Sequence, residues 1–126
     1  MSRLIVLRQR AAVCRLEPGF DIPSWVQIGD ITAIIRTPEE ISIICDENSV
    51  PGNILVENGW RIIKVQGPLD FSQIGVLAAI AVPLAQAGVS IFTISTFNTD
   101  YILVKESFLA LAINALQKAG HSVEVA

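Results

Sequence analysis

Between two runs of strand-forming residues, the stretch ISTFNTDY (Ile94–Tyr101) gathers Ser95, Thr96, Asn98, Thr99 and Asp100 around Phe97. A carboxylate such as that of Asp100 pairs with an ammonium or guanidinium group, and the hydroxyls of Ser95, Thr96 and Thr99 can orient a polar ligand. A second set of polar groups belongs to the backbone. The loop GPLDFSQIG (Gly67–Gly75) leads into an apolar helix whose unpaired amides, around Ile74, Gly75 and Val76, can receive a carboxylate. Gly75 lets a ligand or another backbone come close. The next strand opens at Gly88, Val89 and Ser90, where an exposed edge can bond an amino or carboxylate group. The same residues have a plainer reading, in which Gly75 eases helix packing and Asn98 and Asp100 make an Asx-type turn.

Other chemistry is sparse. His121, the sole histidine, follows Gly120 with no cysteine or carboxylate run beside it, so it reads as a surface or helix-terminal residue rather than a base or metal ligand. Cys14 and Cys45 fall on two candidate neighbouring strands and read as buried, reduced, small hydrophobic residues. Asp46-Glu47-Asn48 reads as a helix start or a solvated loop, and Glu39-Glu40 as a solvated turn. GxSxG, P-loop and GxGxxG patterns are absent. No catalytic residue, metal site or cofactor is expected, and the chain reads as a non-enzyme.

The elements that must hold the polar stretch are legible in the C-terminal half. WRIIKV (Trp60–Val65) predicts a strand, and Ser72 is placed to cap a helix over Gln73–Ala87 that Gly88 ends. VSIFTIS and YILVK predict an antiparallel hairpin around the polar turn. Ser107 is placed to cap a second helix closed by Gly120, and SVEV (Ser122–Val125) predicts a last strand. The order βαββαβ is the split βαβ, ferredoxin-like arrangement. Pro83, inside the first helix, withholds the amide that would bond Ala79 and predicts a bend.

The N-terminal half reads as a reduced copy. ITAIIRTPEEISIICDE aligns with IFTISTFNTDYILVKE if the second turn carries one inserted residue, matching Thr37 to Thr96 and Ile41 to Tyr101. LIVLRQRAAVCRLEP supplies strand material before it, and IPSWVQIG only a short helical segment. The expected class is α+β: two ferredoxin-like βαββαβ units in tandem, residues 1–59 and 60–126, with antiparallel sheets and helices on one face.

Composition narrows the function. Hydrophobic residues make up 52% of the 126 and charged residues only 17%, so apolar surface is expected to be covered by another half or another chain. Nine basic against twelve acidic residues, a net charge of -3, give no basic field for nucleic acid. The run Ile74–Ala85 is shorter than the roughly 20 apolar residues of a membrane span. MSRLIVLRQR lacks the apolar core and cleavage site of a signal peptide, so a reduced, cytoplasmic setting is expected.

GPLDFSQIGVLAAIAVPLAQAGVSIFTISTFNTDYILVKE resembles the signature of ACT domains, and RTPEEISIICDE resembles the degenerate first copy of tandem-ACT proteins such as the eukaryotic cytosolic arginine sensors. The resemblance implies a regulatory module that binds an amino acid at an interface between two copies. It implies a ligand near Val89, Ser90 and Ile91, with Ile74, Gly75 and Val76 facing it and Thr96, Phe97, Asn98, Thr99 and Asp100 in the hairpin. A homodimer would supply the missing half of the site, and a regulated protein partner can follow from it. The alternative is a ligand-free interaction or dimerisation module.

Overall fold

The computed structural model describes residues 2–26, 29–70 and 73–126. Contacts divide the chain into two compact units, Met1–Arg8 with Arg61–Ala126, and Gln9–Trp60. Among the described residues lie seven strands and two α-helices: β1 (Arg3–Leu16), β2 (Ala33–Arg36), β3 (Ile41–Asp46), β4 (Leu55–Val65), α1 (Val76–Gln86), β5 (Phe92–Ser95), β6 (Asp100–Lys105), α2 (Leu109–Lys118) and β7 (Ser122–Val125). The strands hydrogen-bond in the order β2-β3-β1-β4-β6-β5, and β7 pairs with β1. The ladder is therefore one mixed sheet in which β1 and β4 each belong partly to either unit, rather than two separate ferredoxin-like sheets.

The larger unit keeps the expected order β4-α1-β5-β6-α2-β7 but adds a strand to it. β7 runs parallel to the start of β1, with Arg3 opposite Ser122 and Val6 opposite Val125. On the other side the Gln66 N–H donates to the Arg3 carbonyl at 2.8 Å. Residues 3–6, expected in the N-terminal half, thus stand between β4 and β7.

Its core follows from two periodicities. Leu4 and Val6, Ile63 and Val65, and Ile102 and Val104 alternate along their strands, while Ile80 and Leu84 and Ala112 and Leu116 lie four apart on the helices; all ten are buried in one cluster. Both helices therefore cover the same face of these strands.

Helix ends explain where the elements stop. Gly88 follows α1 at φ 78°, a left-handed conformation that costs glycine little, and lets the Val89 N–H donate to the Leu84 carbonyl at 2.9 Å. Gly120 closes α2 in the same way, with the His121 N–H on the Leu116 carbonyl at 3.1 Å. The starts differ from expectation. α1 begins at Val76 behind Gly75, and Ser72 lies outside the described residues. Ser107 sits in a 3-10 turn, Glu106–Phe108, and caps nothing, because α2 begins only at Leu109.

Pro83 lies within α1, and its missing amide leaves the Ala79 carbonyl without a helical partner. His121 supplies one. Its Nε2 stands 2.8 Å from the Ala79 carbonyl, and its Nδ1 is 3.3 Å from the Ser2 N–H. A carbonyl only accepts and an amide only donates, so the ring is the neutral tautomer protonated at Nε2. At 4% exposure His121 is buried, not a surface residue.

The smaller unit, Gln9–Trp60, packs Ala12, Cys14, Ile41, Ile43 and Cys45 into its own core. It contains no α-helix among the described residues; the short helical segment expected over IPSWVQIG falls partly outside them, and a turn stands at Ser24–Trp25. Antiparallel pairing sets Cys14 opposite Ile43 and Cys45 opposite Ala12, so the two free thiols are diagonal neighbours on one face. Asp46 caps a 3-10 turn, Glu47–Ser49, by accepting from the Asn48 N–H at 2.9 Å, and Glu47 accepts from the Gly59 N–H at 3.1 Å.

The β2–β3 and β5–β6 hairpins have the same internal geometry. Their strands and following 3-10 turns begin 59 residues apart, at 33 and 92, 41 and 100, and 47 and 106. Arg36 pairs with Ile41 as Ser95 pairs with Asp100. The Thr37 N–H donates to the Glu40 carbonyl at 2.9 Å, and the Thr96 N–H to the Thr99 carbonyl at 2.8 Å. Each threonine hydroxyl also meets that carbonyl and accepts from the same residue's N–H. The second turn carries no extra residue, so Ile41 answers to Asp100 and not to Tyr101.

Candidate functional site

Within the larger unit, a cavity of about 370 Å³ opens between the start of α1 and the β5–β6 turn. One wall is the segment Leu69, Asp70, Gln73 and Gly75–Ala78; the other is Ser95–Asp100. Gly75 sits at φ 80° in the position before the helix, with no side-chain cap, and the first-turn residues Val76, Leu77 and Ala78, whose amides have no helical acceptor, line the cavity beside it. The helical bonding begins only with the Ala79 N–H on the Gly75 carbonyl, at 2.9 Å. A helix start of this kind carries partial positive charge, which favours an anionic group.

The opposite wall is held by its own hydrogen bonds. Thr99 is buried at 4% exposure, and its hydroxyl donates to the Val65 carbonyl at 2.6 Å, tying the turn to the end of β4. The Leu69 N–H donates to the Asn98 carbonyl, also at 2.6 Å, tying the two walls together. Asp100 accepts from the Ser95 hydroxyl at 2.6 Å. Thr99 is therefore an anchor of the turn, whereas Asp100 keeps a second carboxylate oxygen beyond that bond. The lining contains two carboxylates, Asp70 and Asp100, and no basic side chain. The cavity thus offers helix-start amides for an anionic group and carboxylates for a cationic one.

Of the residues singled out in the sequence, Gly75, Val76, Thr96, Phe97, Asn98, Thr99 and Asp100 line this cavity together. Ile74 does not line it and is 97% exposed beside Gly75. Val89 is a core residue, Ile91 packs against the same core, and Ser90 is exposed; none of the three reaches the cavity. The reason is the Gly88 turn, which sends Val89 inward beneath α1. Leu69, Asp70, Gln73, Leu77 and Ala78 line the cavity without having been named. A signal for Asp70 and Gln73 is their three-residue spacing, that of a capping box. The Gln73 side chain accepts from the Asp70 N–H at 2.8 Å, and the Gln73 N–H donates back to the Asp70 carbonyl at 3.0 Å.

In the smaller unit the matching hairpin is chemically different. Arg36 and Ile41 stand where Ser95 and Asp100 stand in the larger unit. Arg36 donates to the Phe20 carbonyl at 3.1 Å, and Arg15 to the Glu39 carbonyl at 3.2 Å, so the chain's own guanidinium groups bond the segment and turn there. Among the described residues no group of three or more His, Cys, Asp or Glu is arranged to hold a metal ion. Nor is any helix among them long and apolar enough to cross a membrane.

Comparison with known proteins adds to this geometry. Residues 55–118 match the family model of the ACT domain, and residues 10–53 match a separate model for an N-terminal domain. The chain is 38% identical over 86 residues to the human cytosolic arginine sensor for mTORC1 subunit 1, an alignment that covers 62% of this chain and 26% of the sensor. It thus spans about a quarter of the length of the curated relatives it matches. An Agobacterium tumefaciens protein solved by X-ray crystallography is 34% identical, with a TM-score of 0.94 over 99% of this chain and 93% of that one. The ligand-free regulatory subunit of aspartate kinase from Thermus thermophilus shares the fold, at 12% identity and a TM-score of 0.59 over 89% of this chain and 93% of that one. With the ACT model spanning β4 through α2, the chain belongs to the ACT domain family.

Proposed function

We propose that this chain is a non-catalytic regulatory protein that binds a free amino acid in the cavity between α1 and the β5–β6 turn. The observation that carries the reading is the pairing of walls: helix-start amides at Val76–Ala78, with no side-chain cap among the described residues, on one side, and Asp100 on the other. The α-carboxylate of a zwitterion takes the amides, and its ammonium or a cationic side chain takes Asp100. A volume of about 370 Å³ lies at the small end of ligand pockets, which suits an amino acid. The similarity to an arginine sensor supports the same class of ligand.

Each chain supplies one such site. The two hairpins are copies of one strand-turn-strand module, and in the N-terminal copy Arg36 and Ile41 replace the serine and aspartate that would face a ligand. A second copy of the chain closes the cavity: Ile74 and Phe97, beside it, are 97% and 79% exposed and give a partner an apolar surface. The binding site is then a subunit interface, and ligand shifts the dimer between two arrangements that a downstream protein reads.

A thermal-shift screen with the twenty amino acids tests the reading. A ligand at a hundred times its dissociation constant stabilises the protein by about 2.7 kcal/mol, which moves Tm by several degrees in a chain of this size. The shift should vanish in Asp100→Ala; no shift with any amino acid would refute the reading. The exposed Ile74, Phe97, Val82, Phe108 and Leu111 favour a second reading, an interaction module without a ligand. That reading requires Phe97→Asp to change the mass in solution while no amino acid changes Tm.

A further inference from the structure

The β5–β6 turn also borders a second cavity, of about 330 Å³, whose lining has the opposite electrostatic character. Lys64, Gln66, Asn98 and Tyr101 line it, together with the two threonines of the turn. No carboxylate is among its lining residues, in a chain of net charge -3. Lys64 lies between buried Ile63 and Val65, and Tyr101 precedes buried Ile102, so both side chains leave the sheet on the face away from the helix-packed core. Their strands, β4 and β6, are neighbours in the ladder. The Thr96 and Thr99 hydroxyls already donate within the fold, to the Thr99 and Val65 carbonyls. The ammonium of Lys64, the phenol of Tyr101 and the side-chain amides of Gln66 and Asn98 make no hydrogen bond or ion pair within the described residues.

We propose that this cleft is a second ligand site, specific for an oxyanion: a phosphate or carboxylate held by Lys64 and Tyr101 with support from Gln66 and Asn98. An ammonium supplies three donors and a full charge, the phenol one donor, and each amide two, which matches a group that only accepts. The cleft shares Thr96, Asn98 and Thr99 with the wall of the amino-acid cavity, but Lys64 and Tyr101, its charged and phenolic donors, do not line that one.

The test titrates the intact chain with inorganic phosphate and, separately, with succinate, each against sodium chloride of equal ionic strength, and reads Tm and the dissociation constant by calorimetry. At least one oxyanion should raise Tm beyond the chloride control in a saturable way, and comparing the two distinguishes phosphate from carboxylate. Loss of a charge-assisted hydrogen bond should weaken that affinity tenfold or more in Lys64→Met and several-fold in Tyr101→Phe. Tyr101→Phe carries the test if Lys64→Met does not fold. A shift no larger than that of chloride for both oxyanions, or an affinity that survives both substitutions, overturns the proposal.

Discussion

The link between Pro83 and His121 can be measured as a coupling energy. Pro83 removes the amide that would bond the Ala79 carbonyl, and the His121 Nε2–H occupies that carbonyl at 2.8 Å. In His121→Ala the carbonyl loses its donor, the Ser2 N–H loses its 3.3 Å acceptor, and a buried ring leaves a cavity. An unsatisfied, partly buried acceptor costs about 1–3 kcal/mol, and with the weaker bond and the cavity a loss of about 3 kcal/mol is expected. Pro83→Ala restores a helical amide at the right place. In that background the Ala79 carbonyl keeps a partner when His121 is removed, so the same substitution should cost about 1–2 kcal/mol less. Urea denaturation of the wild type, both single variants and the double variant closes the cycle, provided the m-values agree. Additivity within about 0.5 kcal/mol would refute the reasoning, because two residues sharing one carbonyl cannot be independent.

Three further outcomes follow from local geometry. Thr99→Val keeps the side-chain shape but removes the 2.6 Å bond to the Val65 carbonyl, and should cost about 1–2 kcal/mol in urea denaturation, whereas Thr99→Ser, which keeps the hydroxyl, should cost about 1 kcal/mol or less. Gly88→Ala forces a side chain into φ 78° and should lower stability by about 1 kcal/mol in the same assay, although its Cβ meets no atom within 4 Å. Cys14 is pushed up to about 12 by burial first and by the neighbouring Cys45 second, and Cys45 is raised mainly by burial. A proton held more tightly when folded stabilises the fold fully below the unfolded thiol pKa of about 9, and that contribution is lost as pH rises toward 12. Stability measured by urea at pH 8 and pH 10.5 should therefore fall more in the wild type than in Cys14→Ala; an equal fall would contradict it.

Much of the larger unit is legible in the sequence because its signals are local. Gly88 and Gly120 mark helix ends through a conformation that only their own residues decide, and the alternation in Trp60–Val65 and Tyr101–Lys105 is set by strand geometry. The hairpin is legible for the same reason. What escapes is non-local. Nothing in LIVLRQR specifies that Arg3–Val6 pairs with Ser122–Val125, 119 positions away in the chain, or that β1 stands beside β4, the adjacency that turns two expected sheets into one ladder. His121 looks solvent-facing until Pro83, far from it in sequence, is seen to free a carbonyl for it. Ser107 is a good capping type, but the 3-10 turn before α2 shifts the helix start past it.

The site divides along the same line. Asp100 and the turn around it are visible in residue types alone, as is the approach through Gly75. Thr99 looks equivalent to Thr96 in sequence, yet Thr99 is buried and bonded to the Val65 carbonyl at the end of β4 while Thr96 is exposed, a distinction that only the tertiary pairing of the turn with β4 creates. Val89 and Ile91 follow the helix closely enough to look like part of its mouth, but the chain reversal at Gly88 places Val89 in the core and Ile91 against it. The inserted residue expected in the second turn fails because the hydroxyls of Thr37 and Thr96 close both turns at the same length.

The central claim is that an amino acid bridges the start of α1 and the β5–β6 turn. An amide-resolved NMR titration of the isotopically labelled protein with each of the twenty amino acids tests it most directly. At least one should produce saturable shifts concentrated at Val76, Leu77 and Ala78 and at Thr96–Asp100, and Asp100→Ala should abolish them. Saturable shifts confined to other surfaces, or none with any amino acid, would contradict the account.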